Sequence, residues 1–265
     1  MRRHGVPAPR PYLDGAGRGF VALAHRGFSA GDGNLENSMA AFEAAVDLGF
    51  RYVETDAHGT ADGVAVALHD ESLDRTTDGS GLVADLPWDV VRRARIGGRE
   101  PVPLLEDLLG SWPRLRVNVD VKGDSGVEPV AAVIERTGAH ERVCVTSFSA
   151  RRRRATLARL SRPVATSAGR AEVVAFLLSA RLRLRAGVRR ALRDVDALQV
   201  PVAQGRVHVV DASTVAAAHA AGRQVHVWTI DDPAEMDRLI DLGVDGIVTD
   251  RADLLRDVLR RRGLW

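Results

Sequence analysis

Eight short apolar runs, most of them rich in valine, alternate along this chain with longer amphipathic stretches, and no other feature limits the fold as strongly. The runs fall at about 20–24, 51–56, 115–121, 142–146, 162–166, 196–200, 224–229 and 245–249. Helical patterns lie between them, near 38–48, 103–110, 126–137, 149–159, 171–192, 212–221, 233–242 and 251–262. A strand covered on both faces reads as a continuous apolar run, whereas a helix that covers it keeps one wet face. Eight of each in alternation predict an α/β fold, a (β/α)8 barrel. The stretch 64–101 breaks the rhythm with an extra strand-like run, a turn-rich Asp78-Gly79-Ser80-Gly81 and a helix-like Trp88 to Arg95, and reads as a small insertion after the second strand. Residues 1–19 read as an N-terminal extension and 20–262 as one barrel, since no linker or internal repeat marks a second domain. Ser38, Ser149, Ser213 and Asp232-Pro233 are the expected helix starts.

Composition narrows the class of protein. A chain of 265 residues with 45% apolar content suits one large domain. No run approaches the roughly 20 apolar residues of a bilayer span. The basic start, Met1 to Pro7, leads to Pro9, Pro11, Asp14 and Arg18 instead of an apolar core, so it does not read as a secretory signal. A cytoplasmic protein without stable membrane insertion is the expectation. Cys144 is the single cysteine, which excludes an internal disulfide and a thiolate metal cage, and in Val143-Cys144-Val145 it reads as a buried thiol. With 37 basic and 35 acidic residues the net charge is +2, which argues against a nucleic-acid binder. Only Lys122 among those cations is lysine. A position that keeps a compact ammonium in an arginine-dominated chain is a candidate for a point charge that guanidinium cannot mimic. Arg151 to Arg154, and Arg181, Arg183, Arg185, Arg189, Arg190 and Arg193, read as solvated helix faces, with attraction for anionic lipid or nucleic acid as the alternative.

Polar residues gather where the predicted strands stop, which is where barrel enzymes build their active sites. His25-Arg26 follows the first run, Glu54 and Asp56 end the second, His69-Asp70 follows the extra run, and Asp120 with Lys122 closes the third. Residues two apart in a strand leave the same face, so Glu54 and Asp56 converge on one point, as do Asp120 and Lys122. Three carboxylates from two strands make an oxygen-rich site for a divalent metal, Ca²⁺ or Mg²⁺. Two imidazoles, His25 and His69, can divide proton removal from proton donation, since an ordinary pKa of about 6.5 lies near working pH. Arg26 can grip phosphate oxygens, and Lys122 can neutralise charge that builds there. Together these residues specify phosphoryl chemistry.

His25-Arg26-Gly27, Glu36-Asn37-Ser38, Glu54-Thr55-Asp56, Leu68-His69-Asp70 with Leu73 to Thr77, Val102 to Glu106, Asn118 to Lys122, Ser147-Phe148, and Trp228-Thr229 through Gly243 to Asp250 together resemble the glycerophosphodiester phosphodiesterase family. The resemblance extends from about Phe20 onward. It implies a barrel with a small insertion after the second strand, and metal-dependent hydrolysis of a small-molecule glycerophosphodiester to sn-glycerol 3-phosphate and an alcohol such as choline or ethanolamine. It also implies that His25 and His69 form the acid/base pair, that Arg26 and Lys122 contact phosphate, and that Glu54 and Asp56 bind the metal. Asp120 stands where the family usually has Glu, one methylene longer, so the third ligand is expected to reach the metal through water. Ser38 replaces the usual Thr, a mild change at a helix cap. Glu36 is either an orienter of Arg26 or His25 or a solvated loop carboxylate. Phe148 and Trp228 either line the substrate pocket or pack at the barrel rim. Asp245 and Asp250 read as turn and cap residues, His58 as an exposed histidine, and His208, His219 and His226 carry no assigned role. Two other functions fit the same residues: a lysophospholipase D-like hydrolase, and a catalytically silent barrel that only binds phosphodiesters.

Overall fold

A computed structural model describes residues 10–15, 19–29 and 35–265. Of the expected extension, residues 1–9 and 16–18 lie outside the described residues. Eight parallel strands form the frame: β1 Val21–His25, β2 Tyr52–Gly59, β3 Arg116–Val121, β4 Val143–Thr146, β5 Ala165–Thr166, β6 Ala197–Val200, β7 Gln224–Val227 and β8 Gly246–Thr249. They pair in the order β5-β4-β3-β2-β1-β8-β7-β6, and a parallel bridge from Ser167 to Ala197 joins the two ends. Helices α1 Met39–Asp47, α2 Leu105–Ser111, α3 Val127–Thr137, α4 Ala150–Leu157, α5 Arg170–Arg181, α6 Ala212–Ala220, α7 Pro233–Leu242 and α8 Ala252–Arg261 follow the strands. The (β/α)8 barrel expected from the sequence is the observed fold. Among the described residues no helix is long and apolar enough to cross a membrane.

Strand period two sorts the apolar side chains into two layers. Ala22, Ala24, Val53, Val117, Val119, Val145, Val225 and Ile247 point outward and pack against helix residues such as Leu105, Leu108, Ile134, Leu239 and Leu255. Val21, Leu23, Tyr52, Cys144, Ala165 and Val248 point inward around Tyr12. Tyr12 comes from a single 3-10 turn, Pro11–Leu13, and is fully buried. Its ring meets Tyr52 edge-on at 5.2 Å, and the Tyr52 hydroxyl donates to the Tyr12 carbonyl at 2.5 Å. This turn is the floor of the barrel, a role that the sequence reading of an N-terminal extension did not foresee.

Above the floor runs a polar chain. Gln224 donates to the Leu13 carbonyl at 2.9 Å and accepts from His226 Nε2 at 3.0 Å. Gln199 stands 3.3 Å from His226 Nδ1 and donates to Asn118 at 2.9 Å. Burial lowers the His226 pKa to about 4, so the ring is neutral: it accepts from Gln199 and donates to Gln224, while the Gln199 amide also donates the other way, to Asn118.

Local departures from expectation have local causes. The helix expected over 171–192 is broken into α5 and a second helix, Arg185–Ala191, at Arg183, whose φ of 54° no Gly or Pro announced. Ser38, Ser149 and Asp232 cap their helices as expected, accepting from the Ala41, Arg152 and Glu235 N–H groups. Ser213 does not: Asp211 caps α6 and forms a capping box with Thr214. In the insertion, Ala65–Ala67 pairs antiparallel with the end of β2. Val66, Leu68, Leu73, Val83, Val91, Ile96 and Val102 then form a small core of their own, which holds His69 at the barrel mouth.

Candidate active site

Parallel register sets the site. His25 of β1 lies beside Glu54 of β2, and Asp56 lies beside Asp120 of β3, one strand spacing apart. A cavity of about 210 Å³ opens at this end of the barrel, lined by His25, Arg26, Glu54, Asp56, His69, Asp120, Lys122, Phe148 and Trp228. Glu36 stands behind it and accepts from Arg26 Nη1 at 3.0 Å. The structure thus brings all the singled-out residues to one place, with Glu36 one contact removed.

The first βα turn is held under strain. Arg26 has φ 54° and Asn37 φ 60°, conformations costing about 1–3 kcal/mol each outside glycine. Gly27 follows at φ 87°, where a Cβ would lie 2.6 Å from the Ala41 backbone, so only glycine lets α1 approach. The strained turn aims groups inward. The Arg26 N–H points at Glu54 Oε2 at 3.3 Å, and its Nε lies 3.0 Å from Asp56 Oδ2. Asn37 donates to Asp56 Oδ2 at 3.0 Å and accepts from Thr55 Oγ1 at 2.7 Å, fixing the Asp56 carboxylate.

Each imidazole carries a carboxylate on Nδ1 and turns Nε2 elsewhere. His25 Nδ1 is 2.7 Å from Asp250 Oδ1, and its Nε2 is 3.8 Å from Glu54. His69 Nδ1 is 2.6 Å from Asp70 Oδ1. Arg75 bridges Asp70 and Glu36 with contacts of 2.5 and 2.6 Å, so a string of alternating charges runs from Asp70, the partner of His69, to Arg26. Burial pulls the His25 pKa down, yet the Asp250 hydrogen bond and the Glu54 charge outweigh it and leave it raised. The Arg75 bond, reinforced by His69, holds Asp70 far below the usual carboxylate range.

Burial and the neighbouring Asp56 push the Glu54 pKa up to about 8. Burial raises Asp120 as well, whereas Lys122 and Arg26 overcome burial at Asp56 and lower it. Lys122 Nζ bridges Asp56 Oδ1 at 2.8 Å and Asp120 Oδ2 at 2.7 Å. Among the described residues no three His, Cys, Asp or Glu side chains form a preassembled metal cage. The donor set nevertheless suits a hard cation. Asp120 Oδ1 is buried without a hydrogen-bond partner, and Glu54 resists ionising because it is buried and faces the Asp56 carboxylate.

Phe148 and Trp228 form one wall, their rings 5.9 Å apart and nearly perpendicular. The Lys122 ammonium and the Arg170 guanidinium each lie 5.6 Å from the Phe148 centroid. Four contributors escaped the sequence reading. Asp250, expected as a cap, partners His25, and Asp70 and Asn37 were visible only as members of motifs. His58, expected to be exposed, is buried in β2 because that strand continues into the hairpin, and its Nε2 donates to the His69 carbonyl at 3.2 Å. Outside the site, His219 pairs with Asp245 at 2.8 Å.

Residues 25–254 match the model of the Glycerophosphoryl diester phosphodiesterase family. The chain belongs to this family. It is 51% identical over 247 residues to Probable glycerophosphodiester phosphodiesterase 2 of Mycobacterium tuberculosis, covering 93% of both chains. It is also 27% identical to Lysophospholipase D GDPD1 of Homo sapiens, over 89% of this chain and 85% of that one. A solved glycerophosphodiester phosphodiesterase from Agrobacterium tumefaciens superposes with a TM-score of 0.73 at 25% identity, over 91% of this chain and 99% of that one. The matched span of this glycerophosphoryl diester phosphodiesterase family member begins at His25 and contains every singled-out side chain.

Proposed function

We propose that this family member hydrolyses glycerophosphodiesters to sn-glycerol 3-phosphate and an alcohol. The observation that carries the reading is one small cavity lined by two imidazoles, two cations and three carboxylates. Arg26 and Lys122 bind the phosphate oxygens and neutralise the charge that accumulates on them. One of His25 and His69 takes the proton from the attacking hydroxyl as its oxygen bonds to phosphorus. The other protonates the departing alkoxide as its bond to phosphorus breaks. Asp250 and Asp70 hold the two rings so that Nε2 is the working nitrogen. Glu54, Asp56 and Asp120 would hold a divalent cation, Ca²⁺ or Mg²⁺, which when bound supplies Lewis acidity and charge for a phosphate oxygen. The catalytic unit spans 20–262 together with the floor turn, and catalysis in the cytoplasm is part of this reading.

The lysophospholipase D-like reading draws on the human relative's name. A volume of about 210 Å³ with two imidazoles, two cations and three carboxylates in its lining favours a small polar diester over an acylated one. A substrate panel after metal removal and readdition separates the readings. Chelated enzyme should be inactive, Ca²⁺ or Mg²⁺ should restore it, and glycerophosphocholine should turn over faster than its acylated form. Faster release of choline from the acylated form would favour the alternative. Absence of sn-glycerol 3-phosphate under every condition would leave a binding barrel.

A further inference from the structure

The chain's two arginine runs have different fates. In the first, Arg151 and Arg152 pair with Asp124, and Arg153 and Arg154 pair with Glu172. In the second, Val173 to Leu192 contains no acidic residue at all, while it holds Arg181, Arg183, Arg185, Arg189 and Arg190. All five are exposed. Among the described residues Arg181 donates to the His208 carbonyl, and no carboxylate is paired with any of the five. This segment therefore gathers five exposed guanidinium groups on one face with no acidic residue beside them in the sequence.

The same segment exposes apolar side chains. Val174, Leu178 and Leu182 recur every four residues along α5 at 52%, 59% and 67% exposure, and Leu184 adds 53%. Between α5, the Arg185–Ala191 helix and α6 runs an open groove of about 680 Å³, lined by Arg181, Arg183, Arg185 and Arg189 together with Val188 and Ala216. Leucine tips interleaved with unpaired guanidinium groups match a bilayer interface, where apolar groups enter the acyl boundary and cations meet lipid phosphates. A nucleic-acid backbone would use the charges but leave the leucines in water.

We propose that this face docks the enzyme peripherally on an anionic phospholipid bilayer. Its charge complementarity selects that occupant, and the docking does not depend on the catalytic reading. Arg170 sits at the mouth against Phe148, and Leu182 lies twelve residues further along the helix, about 18 Å toward the opposite end of the barrel. The docked enzyme therefore keeps its cavity open to water.

Flotation with vesicles tests this. Vesicles with about 30 mol% phosphatidylglycerol in phosphatidylcholine should retain the intact chain at low ionic strength, and pure phosphatidylcholine should not. Salt near 0.5 M, with a Debye length of about 4 Å, should release it. The triple variant Arg183→Ser/Arg185→Ser/Arg189→Ser should partition about 100-fold more weakly, at about fivefold per cation. Leu178→Ala/Leu182→Ala/Leu184→Ala should weaken partitioning at least about tenfold. Both variants should hydrolyse soluble glycerophosphocholine at the unmodified rate. No retention on anionic vesicles, or retention unchanged in either variant, overturns the proposal. So does tighter binding to duplex DNA than to vesicles, or a stable dimer in solution that the leucine variant abolishes.

Discussion

In the proposed reaction His25 and His69 depend on what stands behind them. A carboxylate on Nδ1 fixes tautomer and ring orientation, leaving Nε2 to exchange protons. Asp250→Asn keeps the shape of the partner but loses its charge, and its amide can present either a donor or an acceptor to Nδ1, so the tautomer is no longer fixed. Its kcat is expected to fall about 10²-fold with little change in KM, measured on glycerophosphocholine. A fall in KM affinity alone would assign Asp250 to substrate binding. The proposed acid/base pair, the carboxylate trio and the lone lysine were legible in the sequence because their residue types are costly to place without a purpose. Asp250 was not, because it sits 225 residues from the ring it serves and no spacing rule spans that distance. His58 misled for a related reason: Gly59 and Asp62-Gly63 mark a turn, but the turn is the tip of a hairpin that buries the histidine.

The strands declared themselves as apolar runs because both their faces are covered, and the helices as amphipathic stretches because one face is. The break at Arg183 left no mark, since it rests on a left-handed arginine and a carbonyl accepted from outside the regular ladder, the Leu184 N–H returning to Ser179 at 2.8 Å. The floor turn was equally silent, for three residues in a proline-rich segment carry no periodicity. Its importance is energetic. Tyr12→Ala would remove a fully buried ring from the inner layer and orphan its contact with Tyr52. A loss of about 3–5 kcal/mol in unfolding free energy is expected by urea titration. A loss below about 1 kcal/mol would mean that the floor is dispensable.

The barrel interior ties floor to mouth through Leu13, Gln224, His226, Gln199 and Asn118, and that tie makes the whole molecule sensitive to acid. Unfolded His226 takes a proton near pH 6.5, but the folded ring resists until about pH 4. Between those values the unfolded state binds more protons, so stability falls as pH falls, by about 1.4 kcal/mol per unit and about 3 kcal/mol in all. Against His226→Asn, the intact chain should show that extra slope between pH 6.5 and 4 in chemical denaturation. Parallel curves would place the acid sensitivity elsewhere. Eight strands bring two imidazoles to one cavity, and hydrolysis is assigned to that convergence. The direct test is release of sn-glycerol 3-phosphate from glycerophosphocholine by the unmodified chain and by His25→Ala and His69→Ala, each checked for an unchanged Tm. Turnover should drop about 10²- to 10⁴-fold in both variants. Near-normal turnover in both would contradict the assignment.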